Sequence, residues 1–305
     1  MSGIAVTGGN GMVGRSLRAL LPEAVYLTRG HCDLEDSSAT ARAFAELRPD
    51  VVIHLAALVG GIQDNVSRPY EFVHRNVLIN TNVLHAALAA GTRHVIGVSS
   101  TCAYPSTVDQ YPMHEGQVHA GAPAMENLPY GYSKRLMAVA LDAAAKQFGI
   151  RATVLYPSNL YGPHDAFEPQ RSHLVAALIR KVSDAKREGW TELPLLGTGR
   201  PLRQFAYVDD LSRAICNVVA TGTVGHFNVA TPENLSIDQI AAVVQDAMDC
   251  RIPRVYNGKL DGQFRKDASS DAFLALFPDF RFTPLAEGVH KTCRWYLENH
   301  MEKTA

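Results

Sequence analysis

Short apolar runs rich in β-branched residues recur along the first half of the chain, at "GIAVTGG", "AVYLTR", "VVIHLAA", "HVIGVSS" and "ATVLYPSN". Longer Ala- and Leu-rich stretches of helical length separate them, so the pattern predicts strand and helix in alternation. The runs are apolar throughout rather than at every second position, as in strands covered on both faces. An α/β fold built on a doubly wound parallel sheet is therefore expected. After residue 157 the rhythm breaks under Pro, Gly and charged residues, although "QFAYVDD" and "HFNVATP" still read as strands. The expected division is a dinucleotide-binding domain over 1–157, with returning segments near 202–231. A smaller, mainly substrate-binding C-terminal domain fills 158–305.

Composition narrows the classes. A chain of 305 residues, 47% hydrophobic and 19% charged, can bury a substantial core. Its formal net charge of -1 provides no basic surface for nucleic acid. No apolar run approaches the roughly 18 to 20 residues that span a bilayer, and "MSGIAVTGG" lacks the layout of a signal peptide. A cytoplasmic protein with no membrane partner is the expectation. The five cysteines (Cys32, Cys102, Cys216, Cys250, Cys293) are odd in number and share no ligand spacing, which argues against a disulfide framework and against a metal site.

The first chemical motif is "VTGGNGMVG", where Gly9, Gly11 and Gly14 give GxGxxG and Gly8, Gly11 and Gly14 give GxxGxxG. Placed between a strand and a helix, it suits a pyrophosphate on the free N–H groups of the helix N-terminus, in a sheet of Rossmann type. Glycine-rich turns also serve packing alone, but the flanking elements favour the dinucleotide. At the end of the second run "YLTRGHCD" places Arg29 where an acidic residue would bind a ribose 2'-hydroxyl. A cation there suits a 2'-phosphate and points to NADP(H); the plain alternative is an ordinary surface arginine.

The second motif is "LPYGYSKR". Tyr130 and Lys134 stand four apart and share one helical face, so an ammonium beside the phenol is expected to lower its pKa from about 10. Tyr132 has no lysine at that spacing. Cys102, in "SSTCAYP", follows Ser100 by two residues where a strand ends. Free cysteine is more often packing than chemistry, and an isolated His173 before "LVAALI" is more often a cap or core residue. Both readings of each remain open from the residues alone.

With these motifs quoted, the chain resembles the extended short-chain dehydrogenase/reductases. More narrowly, "HLAALVGG", "SSTCAYP", "LPYGYSKR", "SNLYGPHDAF", "RSHLVAALIRK", "GTGRPLRQF" and "LDGQFRKDAS", in that order, resemble the GDP-L-fucose synthase family. That resemblance implies an NADPH-dependent epimerase/reductase of a GDP-linked 4-keto sugar. It implies Cys102 and His173 as the acid/base pair for epimerisation at C3 and C5. Ser100 and Tyr130 would stand on the C4 oxygen, Tyr130 as proton donor, with Lys134 on the nicotinamide ribose. It further implies a cofactor site of Gly8, Gly11, Met12, Val13, Gly14, Arg29, Ala56, Ser99, Lys134, Pro157, Asn159, Leu160 and His173. Lys181, Arg203 and Asp261 match the family's substrate contacts, with solvated surface charge the alternative for each.

Two departures bear on the substrate. Thr101-Cys102 stands where related dehydratases carry an Asp-Glu pair, so dehydration is not expected. Leu196 precedes "GTG" where the family usually has Trp. Relatives acting on a GDP-linked 3,6-dideoxy hexose or 6-deoxy heptose can share every catalytic residue named. A nucleotide-sugar 4-epimerase would need neither Cys102 nor His173, and a dinucleotide-sensing binding protein would be expected to lose Tyr130 or Lys134. The resemblance also implies a homodimer through two long helices, roughly Tyr70 to Ala90 and Tyr130 to Phe148.

Overall fold

The computed structural model describes residues 3–169, 171–259 and 261–300. In chain order it runs β1 (Ile4–Thr7), α1 (Met12–Leu20), β2 (Val25–Leu27), α2 (Ser37–Leu47), β3 (Val51–His54), α3 (Ile62–Ser67), α4 (Pro69–Ala89) and β4 (His94–Val98). There follow α5 (Leu128–Phe148), β5 (Arg151–Pro157), β6 (Asn159–Tyr161), α6 (Leu174–Glu188), β7 (Leu193–Leu195), β8 (Leu202–Arg203) and β9 (Phe205–Tyr207). The chain ends with α7 (Val208–Thr221), β10 (Gly225–Val229), β11 (Leu235–Ser236), α8 (Ile237–Ala247), β12 (Arg254–Tyr256), α9 (Asp271–Leu276) and α10 (Leu285–His300).

Six strands form one parallel sheet in the order β10-β5-β4-β3-β1-β2. Its central strands are buried on both faces, with Val6, Val52, Ile53, Ile96, Val154 and Leu155 wholly enclosed, which is why their sequences are apolar without alternation. One face packs on α2, α4 and α5 through Phe44, Val83, Ala87, Met137 and Leu141. The other packs on α1 and α7 through Leu17, Leu211, Ile215 and Val218. Burying such a Leu or Ile side chain contributes about 1.5 to 3 kcal/mol, so these two seams carry much of the fold's stability. The sheet order reverses between β1 and β3, opening a crevice at the carboxyl ends of β1, β3, β4 and β5.

The remainder is not one continuous block. β10 and α7 return to the main sheet, while α6, α8 and α10 enclose a third core around Val175, Ile179, Val182, Ile240 and Val244. Three small ladders, β6-β9, β7-β12 and β8-β11, complete this region, with β7-β12 packed on the third core through Leu193 and Leu195. The long helices expected from about Tyr70 and Tyr130 run over Pro69–Ala89 and Leu128–Phe148, each opened by a proline in its first turn. Among the described residues no helix is long and apolar enough to cross a membrane.

Candidate active site

The glycine-rich turn between β1 and α1 is a cradle that side chains would fill. Gly8 has φ +73, and a methyl on it would meet the Ala56 backbone at 2.9 Å; one on Gly14 would come within 2.6 Å of the Gly8 carbonyl. No side chain caps α1 at Gly11 and its first turn holds no acidic residue, so the N–H groups of Met12, Val13 and Gly14 face the turn with the positive end of the helix dipole behind them. Backbone room, uncapped donors and absence of negative charge fit a pyrophosphate. Thr7 steadies the opposite wall, its Oγ1 accepting the N–H groups of Leu55 and Ala56 at 3.2 Å. Arg29 lies just beyond β2, 75% exposed, with one long contact of 3.4 Å to Glu35. Glu35 is held more tightly by Arg75 at 2.6 Å, which leaves the Arg29 guanidinium available to an incoming anion.

At the end of β4 the chain turns sharply. Ser100 Oγ accepts the Cys102 N–H at 3.1 Å and opens a single 3-10 turn over Thr101–Ala103, which presents the cysteine beside α5. Arg135 holds that turn to α5 by donating to the Ala103 and Gly121 carbonyls. Lys134 is buried; its Nζ donates to the Val98 carbonyl at 2.8 Å and stands 5.9 Å from the centre of the Tyr130 ring. The Tyr130 ring also meets Phe72 edge-on. Ser99 Oγ donates to the Lys134 carbonyl at 3.4 Å. Pro157, Asn159 and Leu160 continue the crevice from β5 into β6, where Asn159 Nδ2 donates to the Gln204 carbonyl.

One expectation is corrected here. Lys134 does not lower the tyrosine's pKa in this structure: burial, with a smaller contribution from the neighbouring Cys102 charge, pushes the Tyr130 phenol well above its ordinary value. An ammonium 5.9 Å from the ring centre and committed to a backbone carbonyl offsets too little of that desolvation. Burial also brings Lys134 down to about 8, so it remains cationic at neutral pH. Tyr130 is thus a protonated donor at rest.

Cys102 behaves in the opposite sense from Cys32, Cys216 and Cys293. Burial pushes Cys216 up to about 11 and Cys293 up to about 12, and raises Cys32 as well. Burial acts on Cys102 too, yet the Lys266 ammonium, the Ser100 hydroxyl and the Arg203 guanidinium outweigh it and bring the thiol below its ordinary value. Lys266 Nζ donates to Cys102 Sγ at 3.1 Å. His173 precedes α6, and its imidazole is held below its usual range by burial and then by Lys266, so at neutral pH it is uncharged rather than a ready imidazolium.

Ser100, Cys102, Tyr130, Lys134, His173 and Arg203 therefore gather around one crevice. Lys181 and Asp261 lie toward the β7 edge: Lys181 Nζ donates to the Pro194 carbonyl at 2.7 Å, and Asp261 accepts both the backbone N–H and the hydroxyl of Thr198. Leu196, 56% exposed, opens that same turn. Sequence reasoning singled out neither Lys266 nor Arg135. Their signal is long-range: Lys266 lies 164 residues from Cys102 in the chain, and no local pattern marks it.

Comparison with known proteins agrees with this arrangement. Residues 4–230 match the NAD dependent epimerase/dehydratase family. The GDP-L-fucose synthase of Dictyostelium discoideum is 32% identical, the alignment covering 97% of this chain and 96% of that protein; the Escherichia coli GDP-L-fucose synthase is 31% identical, covering 97% of each. A crystal structure of a Naegleria fowleri GDP-L-fucose synthetase bound to NADP superimposes with a TM-score of 0.89 at 32% identity, covering 100% of this chain and 94% of that one. The chain belongs to the NAD dependent epimerase/dehydratase family and, within it, to the GDP-L-fucose synthases.

Proposed function

We propose that the chain is an NADPH-dependent epimerase/reductase of a GDP-linked 4-keto-6-deoxy sugar, converting GDP-4-keto-6-deoxy-D-mannose to GDP-L-fucose. The observation that carries this reading is the activated Cys102 thiol, set beside the Ser100–Tyr130–Lys134 group in one crevice. Hydrogens at C3 and C5 are both α to the C4 carbonyl. As a thiolate, Cys102 removes one: the C–H bond breaks, an S–H bond forms, and the electron pair moves to the carbonyl oxygen. Ser100 and Tyr130 hydrogen-bond that oxygen while it carries charge. His173, neutral at rest, exchanges a proton from the other face. Bound NADPH would supply the hydride for C4, and Tyr130, kept protonated by burial, would give its proton to the new alkoxide.

Gly8, Gly11, Met12, Val13, Gly14, Ala56, Ser99, Pro157, Asn159 and Leu160 would line the dinucleotide, Arg29 its 2'-phosphate, and Lys134 the ribose. Arg203, Lys181 and Asp261 would serve the GDP-sugar, the last two exchanging their present partners for it. The division into 1–157 with 202–231 for cofactor and the rest of 158–305 for substrate, a cytoplasmic setting and a homodimer belong to the same proposal. Five free thiols support a reducing compartment. A second reading, a sibling enzyme acting on a GDP-linked 3,6-dideoxy hexose or 6-deoxy heptose, is favoured by exposed Leu196 in place of an aromatic surface.

The test is NADPH oxidation with GDP-4-keto-6-deoxy-D-mannose in D2O, with NMR of the product, for the native chain and Cys102→Ser. Deuterium at C3 and C5 of GDP-L-fucose, lost in the variant, is expected. Deuterium at C5 alone, or turnover only with a heptose or dideoxy substrate, would move the protein to the second reading.

A further inference from the structure

Residues 265–270 run extended beside Met113, in the loop after β4, and are pinned there by backbone bonds. Met113 N–H donates to the Asp267 carbonyl and Ser269 N–H to the Met113 carbonyl, each at 2.8 Å. Gln204 holds Ala268 from both sides, accepting its N–H at 2.8 Å and donating to its carbonyl at 3.0 Å. In an extended segment alternate side chains face opposite ways. Arg265 and Asp267 share one side and satisfy each other through two contacts of 2.6 and 2.9 Å. Lys266 faces the other side, where it meets the Cys102 sulfur. The only carboxylate next to it in sequence is thereby spent on Arg265. The same Gln204 that fixes this segment follows Arg203, so one anchor sets both cations that act on the thiol.

We propose that Lys266 is a catalytic residue whose ammonium holds Cys102 as the thiolate of a preformed ion pair, making a lysine-cysteine unit the base for the α-proton step. The consequence for substrate rests on the reading given above, whereas the state of the thiol does not. The groups facing the sulfur are the Ser100 hydroxyl from its own turn, the Tyr130 phenol and Lys134 ammonium from α5, the Arg203 guanidinium from β8, and Lys266 with its neighbour His173. Arg203 gives directly to the Leu202 carbonyl and acts from farther off; among the described residues Lys266 is the cation that touches the sulfur. An ammonium in contact also stabilises, by charge and hydrogen bond, the negative charge that returns to the sulfur each time the thiolate is regenerated.

The experiment is the alkylation rate of Cys102 by iodoacetamide as a function of pH, followed by peptide mapping on the full chain, for the native protein, Lys266→Met, Lys266→Gln and Lys266→Arg. Only the thiolate reacts, so the midpoint of the curve reports its ionisation without any substrate. The native midpoint is expected below that of free cysteine. Lys266→Met and Lys266→Gln move it upward and slow alkylation at pH 7 at least tenfold, while Lys266→Arg keeps most of the native rate. Solvent-deuterium exchange at the sugar α-carbons falls by a similar factor in Lys266→Met. A midpoint unmoved in both neutral variants, or undiminished exchange in Lys266→Met, overturns the proposal. If the midpoint moves as stated but the native chain exchanges no proton of any 4-keto sugar, the ion pair stands and the substrate reading falls.

Discussion

Single residues decide how closely the reacting groups approach. Gly131, between Tyr130 and Tyr132, lets α5 ride against the Cys102 turn: a methyl there would sit 2.5 Å from the Cys102 carbonyl oxygen and 2.8 Å from Pro123. Gly131→Ala should therefore cost activity more than stability, with kcat falling by on the order of 10²-fold for a displacement near 1 Å. Paired kinetics and thermal melts would check this; a native kcat would show that the turn yields freely. Lys134 provides a second test. Its proton is lost as pH rises through about 8, so NADPH affinity is expected to weaken across that point, measured by cofactor fluorescence. Cys102 was open to two readings from its own residues, and only the family resemblance, carried by the short local motif around its turn, singled it out. Lys266 was not singled out at all, since its position depends on how residues 265–270 lie beside Met113, far away in the chain.

Helices and strands are joined beneath the site by a buried polar chain that the sequence did not announce. Thr7 Oγ1 meets His54 Nδ1 at 2.8 Å, His54 Nε2 meets Asn80 at 3.0 Å, and Asn80 donates to the Ser133 carbonyl, one residue before Lys134. The cofactor turn and the catalytic helix are thus tied through β3 and α4. Burial holds His54 near 4, and His94, bonded to Thr153 on the neighbouring strand, is also held near 4. Both are neutral when folded but protonate near pH 6.5 when unfolded. The unfolded chain therefore binds more protons between pH 6.5 and 4, and stability falls as pH drops through that window. An upper limit is on the order of 3 kcal/mol for each. Urea unfolding at pH 7.5 and pH 5 would measure it. His54→Leu strands two buried partners and should cost roughly 2 to 5 kcal/mol at pH 7.5 while flattening part of the pH dependence. Strands such as β1 and β4 were readable because enclosure on both faces demands unbroken apolar runs. The two-residue ladders β8 and β11 were not, because so short a segment leaves no periodicity to read.

At the scale of the molecule, α4 and α5 lie side by side on one face of the sheet, and α5 leaves Tyr132, Leu136 and Val139 each about 45% exposed. A shared face of that kind is the surface through which the expected homodimer would form. Light scattering should then return twice the 33.2 kDa chain mass, and Val139→Glu should return the single mass with the cofactor turn intact. A native chain of single mass would remove the dimer from the proposal.

The strand order has a consequence for biosynthesis. β5 closes at Pro157, but its outer neighbour β10 begins only at Gly225. At about 5 to 20 residues per second, a ribosome needs several seconds to deliver the intervening chain. During that interval β5 is a bare edge with unpaired N–H and C=O groups, the kind of surface that recruits other strands. A fragment ending at residue 157 should accordingly aggregate, whereas one ending after Val229 has its edge strand in hand. A nascent chain of this topology depends on being shielded until its last sheet strand emerges.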